Sequence, residues 1–167
     1  GKPLRERVTG ADTVPLIAGL SAARGYRLYL LGAAPGVAEQ AASVLRRDYP
    51  GLQIVGTYAG SPDPLEEEKI VARIVATSPD LLFVAYGAPR QDVWIHRNLE
   101  RLGVPVCMGV GGTFDFIAGV AVRAPLWMQR AGLEWLYRLL REPWRWRRML
   151  ALPRFAWRVL QQRFFIS

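Results

Sequence analysis

Short runs of consecutive apolar residues alternate along most of the chain with longer stretches in which apolar positions recur every three or four residues. The first run, Arg27 to Gly32, reads as a strand stopped by a glycine. A helix follows from Pro35 to Asp48, with the proline in its first turn. Pro50-Gly51 marks a turn, and Leu52 to Thr57 is a second β-like run. Asp63 suits a helix N-cap, and the Glu66-Glu67-Glu68 cluster suits the first turn behind it, where the helix dipole favours negative charge. That helix is predicted to reach about Thr77 with Ile70, Val71, Ile74 and Val75 facing inward. Leu81 to Tyr86 is apolar on both faces, as a buried parallel strand should be. Gln91 to Leu102 reads as a helix and Val104 to Val110 as a fourth strand ending at Gly111-Gly112. Asp12 to Gly25 is a leading helix.

Strands that alternate with helices across short connections predict an α/β, Rossmann-like fold: a largely parallel sheet flanked by helices. From about Leu126 the pattern changes. Helices are expected over Gln129 to Arg141, Trp144 to Leu150 and Arg154 to Phe165, with Pro143 as a break. The predicted organisation is a core over 1–125 and a basic, amphipathic helical appendage over 126–167.

Charge sharpens this division. The chain of 167 residues carries a net charge of +8, yet residues 1–122 hold 12 Lys and Arg against 12 Asp and Glu. Residues 123–167 hold 10 Arg against 2 Glu, together with five of the six Trp. Arginine interleaved with aromatics along a helical stripe suits a membrane interface, with rings at the headgroup level and guanidinium groups on lipid phosphates. The same composition suits a helix packed on its own domain or on another subunit. It also suits nucleic acid, although no nucleic-acid motif accompanies it and none is expected as a partner. No run approaches the roughly 18 apolar residues of a membrane span. The N-terminus has no apolar core of a signal peptide. The single cysteine, Cys107, is expected as a small buried core residue, and a single histidine, His96, as a surface one.

Three loops at strand ends carry candidate chemistry, because ligands of open parallel sheets bind beyond the carboxyl ends of the strands. Gly32 to Gly36 can present a helix N-terminus to a phosphate, although a plain strand-to-helix turn explains it better. Gly87 to Asp92 sets Arg90, Gln91 and Asp92 together directly after the most buried strand, which favours function over simple capping. In Gly111 to Gly119, two glycines permit close backbone approach, Thr113 offers a hydroxyl, and Asp115 offers a carboxylate to ribose hydroxyls. An N-cap or an internal tie is the other reading of Asp115. No Asp-x-Asp pair, no metal-ligand cluster, no phosphate-binding Walker loop and no nucleophile elbow occurs. A metal-free site without cofactors is therefore expected, with diphosphate charge met by arginines and helix dipoles.

Glu6 to Gly10, Tyr29 to Glu39, Tyr49 to Gly51, Ile54 to Gly56, Gly87 to Trp94, Val110 to Phe116, Arg123 to Pro125 and Gly132 to Leu139 together resemble, in order, segments of the WecG/TagA/CpsF glycosyltransferases. The resemblance implies inverting, metal-independent transfer from a UDP-sugar of the N-acetylmannosamine type to a polyprenyl-diphosphate-linked N-acetylglucosamine. Surface polysaccharide or teichoic acid synthesis is the implied setting, at the inner face of the bacterial plasma membrane. It implies that the cytoplasmic protein is peripheral on an anionic membrane, and it leans towards homo-oligomers. Arg7 matches an active-site arginine, Gln91 an active-site glutamine and Asp115 a donor-contacting acid. Thr9, Arg90, Gly111, Gly112 and Thr113 fall in the matching segments around them, and Gly60 matches a family glycine between segments. Arg138, Arg145 and Arg148 match arginines of the membrane-binding appendage, suited to a diphosphate. Two features depart from the pattern. Family members carry an upstream Asp-Gly-x-Gly segment whose Asp resembles a general base, and this chain begins after the place where it would fall. Ser61-Pro62 follows Gly60 where an aromatic is usual. The expectation set against an active transferase is a fragment or half of a split enzyme, binding nucleotide-sugar and membrane without catalysing transfer.

Overall fold

In a computed structural model of the protein, the described residues are 9–125, 127–128, 131–141, 157 and 161. Four strands, β1 (Arg27–Gly32), β2 (Gln53–Tyr58), β3 (Leu81–Ala85) and β4 (Val106–Gly109), form one sheet in the order β2-β1-β3-β4. All three pairings are parallel. The α/β reading and the parallel sheet flanked by helices hold. The continuous apolar runs explain why: β1 and β3 are buried almost throughout, and only strands covered on both faces need no polar side.

Helices α1 (Gly10–Arg24), α2 (Val37–Asp48) and α5 (Thr113–Ile117) share one hydrophobic cluster with Leu28, Leu30 and Phe83 of the sheet. Helices α3 (Pro64–Thr77) and α4 (Arg90–Leu102) share the other, with Tyr29, Leu31, Leu82 and Val84. The alternation of strand side chains thus divides each strand between two layers of helix. Asp63 caps α3 as predicted, accepting from the Leu65 amide at 3.0 Å.

Three expectations shift. Pro35 lies in a turn ahead of α2, whose N-cap is Gly36 in the left-handed region. Val75 is 45% exposed, because it follows Ile74 by 100° around the helix and leaves the buried arc. The fourth strand is shorter than its apolar run, and Cys107 is half-buried in it instead of lying in the core.

The chain divides into two compact units, Gly1–Val122 and Arg123–Ser167. In the second, the Leu133 amide donates to the Met128 carbonyl just before α6 (Glu134–Arg141), and the Tyr137 amide inside the helix donates to the Leu133 carbonyl. The predicted helices over 144–150 and 154–165 fall outside the described residues except at 157 and 161. No helix among the described residues is long and apolar enough to cross a membrane.

Candidate functional site

The chain leaves β1 for β2 on one side and returns across it to β3, so the sheet has a reversal point between the carboxyl ends of β1 and β3. The strands approach closely there. A side chain at Gly32 would lie 2.8 Å from the Ala85 carbonyl carbon, and the Ala33 amide donates to the Ala85 carbonyl at 3.1 Å. Of the three candidate loops, Gly32 to Gly36 therefore serves this seam.

The other two loops meet each other. Gln91, in the first turn of α4, is buried, and its Oε1 accepts from the Gly111 amide at 2.9 Å. The neighbouring position, Gly109, leaves the space Gln91 needs: a Cβ there would stand 2.5 Å from Nε2. Because Oε1 is committed to an N–H donor, the amide is oriented, and Nε2 is its donor end. Gly111 has φ +57, and among the described residues no atom lies within 4 Å of where its Cβ would stand, so they leave this turn open.

Thr113 is buried, and its hydroxyl donates to the Val110 carbonyl at 2.6 Å. The start of α1 abuts it, since a Cβ on Gly10 would meet Thr113 Oγ1 at 2.7 Å. Thr9 precedes that helix and donates its hydroxyl to Asp12. Gly112 is the N-cap position of α5, and Asp115 lies in that helix's first turn. Gln91, Gly111, Gly112, Thr113 and the start of α1 thus come together at the ends of β3 and β4.

Arg90 goes elsewhere. Although adjacent to Gln91, it is exposed and lines a cleft of about 380 Å³ with Ser61, Pro62, Asp63, Pro89, Val93 and Arg97. One-residue steps on a helix turn side chains by 100°, which sends Gln91 inward and Arg90 outward. Arg97 holds the cleft's far wall, donating to the Pro62 carbonyl at 3.1 Å and pairing with Glu67. The cleft falls within the size range of small-molecule sites.

Gly60 directly precedes Ser61 of this cleft. It has φ +53, and a Cβ would come 2.9 Å from the Tyr86 hydroxyl. Tyr86 is only 7% exposed, and among the described residues its hydroxyl has no hydrogen-bond partner. Its ring meets Trp94 edge-on at 5.9 Å. Burial, with a smaller contribution from Glu66, pushes its ionisation far above the usual tyrosine range. Sequence reasoning missed Tyr86 and Arg97. The signals were a tyrosine closing the most buried strand just before Gly87, and an arginine two helical turns after Arg90.

Arg7, Arg145 and Arg148 lie outside the described residues. Arg138 falls within α6, and its side chain lies outside the description. His96 is exposed, as expected.

Two curated relatives align with nearly the whole chain. Over 160 residues, 95% of this chain, it is 37% identical to an N-acetylglucosaminyldiphosphoundecaprenol N-acetyl-beta-D-mannosaminyltransferase of Bacillus subtilis (strain 168). It is also 37% identical over 161 residues to a protein of the same name from Bacillus spizizenii. The chain spans about three-fifths of the length of each, 61% and 62%. The family model for these enzymes matches residues 1–167, and the chain belongs to the glycosyl transferase WecG/TagA/CpsF family.

Proposed function

We propose that this chain carries the nucleotide-sugar side of a transferase that moves an N-acetylmannosamine-type sugar from a UDP-sugar to a polyprenyl-diphosphate-linked N-acetylglucosamine. The observation that carries this reading is the partly buried Gln91–Gly111 hydrogen bond at the carboxyl ends of β3 and β4, where an open parallel sheet binds its ligands. The relatives' names support the acceptor and the sugar.

In such a transfer the bond from the anomeric carbon to the diphosphate oxygen breaks. A bond from the acceptor hydroxyl forms on the opposite face, with inversion, and the hydroxyl loses its proton. The oriented Nε2 of Gln91 and the open Gly111 turn suit a polar ligand, and Arg7 is assigned a part in the active site on the resemblance alone. Asp115 is assigned to the donor on the same ground. The leaving UDP gains charge, which arginines and backbone N–H groups stabilise in place of a metal ion. The metal-free reading rests on the missing Asp-x-Asp pair.

The second unit is proposed to sit on the inner face of an anionic membrane. Its ten arginines and the exposed Trp127, Trp135, Leu140 and Trp157 support that placement. Assembly into homo-oligomers is part of the same proposal.

A second reading has a specific observation in its favour. Because the chain spans three-fifths of its relatives, it can act as a nucleotide-sugar- and membrane-binding module that needs further polypeptide for catalysis.

The experiment is UDP release from a panel of UDP-sugars with a short-chain lipid-diphosphate N-acetylglucosamine acceptor and EDTA. Acceptor-dependent release names the donor and supports a metal-independent enzyme. UDP binding without release favours the module, and neither binding nor release overturns both.

A further inference from the structure

The two outer strands of the sheet differ. Along β2 the outward groups are dressed by polar side chains. Arg46 donates to the Ile54 carbonyl at 2.7 Å, and the Thr57 hydroxyl donates to Glu39 at 3.3 Å. The Arg73 guanidinium stands 4.6 Å from the centre of the Tyr58 ring. Such charged and capped edges resist pairing with further strands.

Along β4 the side chains are Val106, Cys107, Met108 and Gly109, with no charge among them. Val106 is 48% exposed, and the other three are half-buried, whereas β1 and β3 are buried almost throughout. The backbone shows which groups face out. The Val106 amide donates to Asp80 at 3.3 Å, and the Val110 amide donates to Val84 at 2.9 Å. Alternation places Met108 towards β3 as well, so Cys107 and Gly109 direct their N–H and carbonyl groups away from it. Among the described residues, β4 pairs only with β3.

Among the described residues this edge is apolar and uncovered, and with both faces half-buried it has the character of an internal strand lacking one neighbour. The relatives show where such a neighbour can come from. The 160 matched residues make up 61% of the Bacillus subtilis protein, leaving about 100 outside the match. A parallel strand with its crossover needs only a few tens of residues.

We propose that the β4 edge docks one more parallel β-strand, supplied by polypeptide corresponding to that unmatched part of the relatives. A parallel strand there ends level with Gly109, so its carboxyl-terminal loop lands beside the open Gly111 turn and Gln91. The strand thereby completes the site, a consequence that rests on the function proposed above; the docking itself does not.

The test mixes the full chain with a separate polypeptide made of the unmatched part of the Bacillus subtilis relative. Amide hydrogen exchange is read residue by residue by NMR. Exchange at Cys107 and Gly109 is expected to slow at least about tenfold, while Val106 and Val110, already bonded to β3, change little. Cys107→Pro removes one outward donor at an edge position, where proline is tolerated. Val106→Lys places a charge on the edge strand and covers the case in which the proline variant does not fold. Either folded variant is expected to weaken association at least about tenfold. The proposal is overturned if a complex forms without protection of Cys107 and Gly109, or if both variants bind unchanged. It is overturned equally if the polypeptide joins the relative's own matched region but not this chain. Protection at β4 without sugar transfer leaves the docking in place and removes only the activity.

Discussion

Replacing Gly109 with alanine tests whether the Gln91 seat is as tight as the structure shows. The new Cβ would stand 2.5 Å from Nε2, 2.8 Å from Cδ and 2.9 Å from Cγ of Gln91. Three short contacts along one side chain cannot be relieved by moving its tip alone. Gln91 must leave its seat and release the Gly111 amide, now held at 2.9 Å. Overpacking of this kind costs about 1–3 kcal/mol, and losing a partly buried hydrogen bond adds about 1 kcal/mol. A total of about 2–4 kcal/mol is expected, which moves the urea midpoint down by about 1–2 M for a domain of this size. The assay is equilibrium urea denaturation followed by circular dichroism on Gly109→Ala, Gln91→Ala and the double variant. Truncating Gln91 removes all three contact atoms, so the double variant should be little less stable than Gln91→Ala alone. The coupling should therefore be close to the full cost of Gly109→Ala, about 2–4 kcal/mol, in favour of the pair. Costs that add within about 0.5 kcal/mol would refute the contact.

Other outcomes follow from the same geometry. Tyr86 ionises far higher in the folded protein than in the unfolded chain because it is buried. Its raised pKa makes a contribution that is fully present below the unfolded value of about 10 and is lost as pH rises above it, at about 1.4 kcal/mol per pH unit. Tyr86→Phe should flatten the fall in stability between pH 10 and 11 by about 1 kcal/mol, measured by urea melts at each pH; equal slopes would place the hydroxyl in water. Gly32→Ala would bring a Cβ 2.8 Å from the Ala85 carbonyl carbon at φ +102. It should cost at least about 2 kcal/mol in a thermal or urea melt, and a loss under about 0.5 kcal/mol would mean the seam between β1 and β3 is loose.

The sequence by itself determined the elements, their kind and the loops that matter. Apolar runs without alternation, such as Leu81 to Ala85, can be satisfied only by a strand covered on both faces, and Asp63 signals its helix through its own local bond to Leu65. The concentration of arginine and tryptophan beyond residue 122 is likewise a property of the chain and needs no coordinates. These are local quantities, set by neighbours within a few residues.

Only the tertiary structure decided what meets what. Arg90 and Gln91 are adjacent in the sequence, yet one lines an open cleft and the other is buried against Gly111, twenty positions away. The Tyr86 hydroxyl comes to lie under Gly60, and Cys107 falls on an outer strand instead of in the core. Such placements depend on the strand order β2-β1-β3-β4 and its register. Both are fixed by the simultaneous packing of two helical layers on one sheet, which no single segment of the chain encodes.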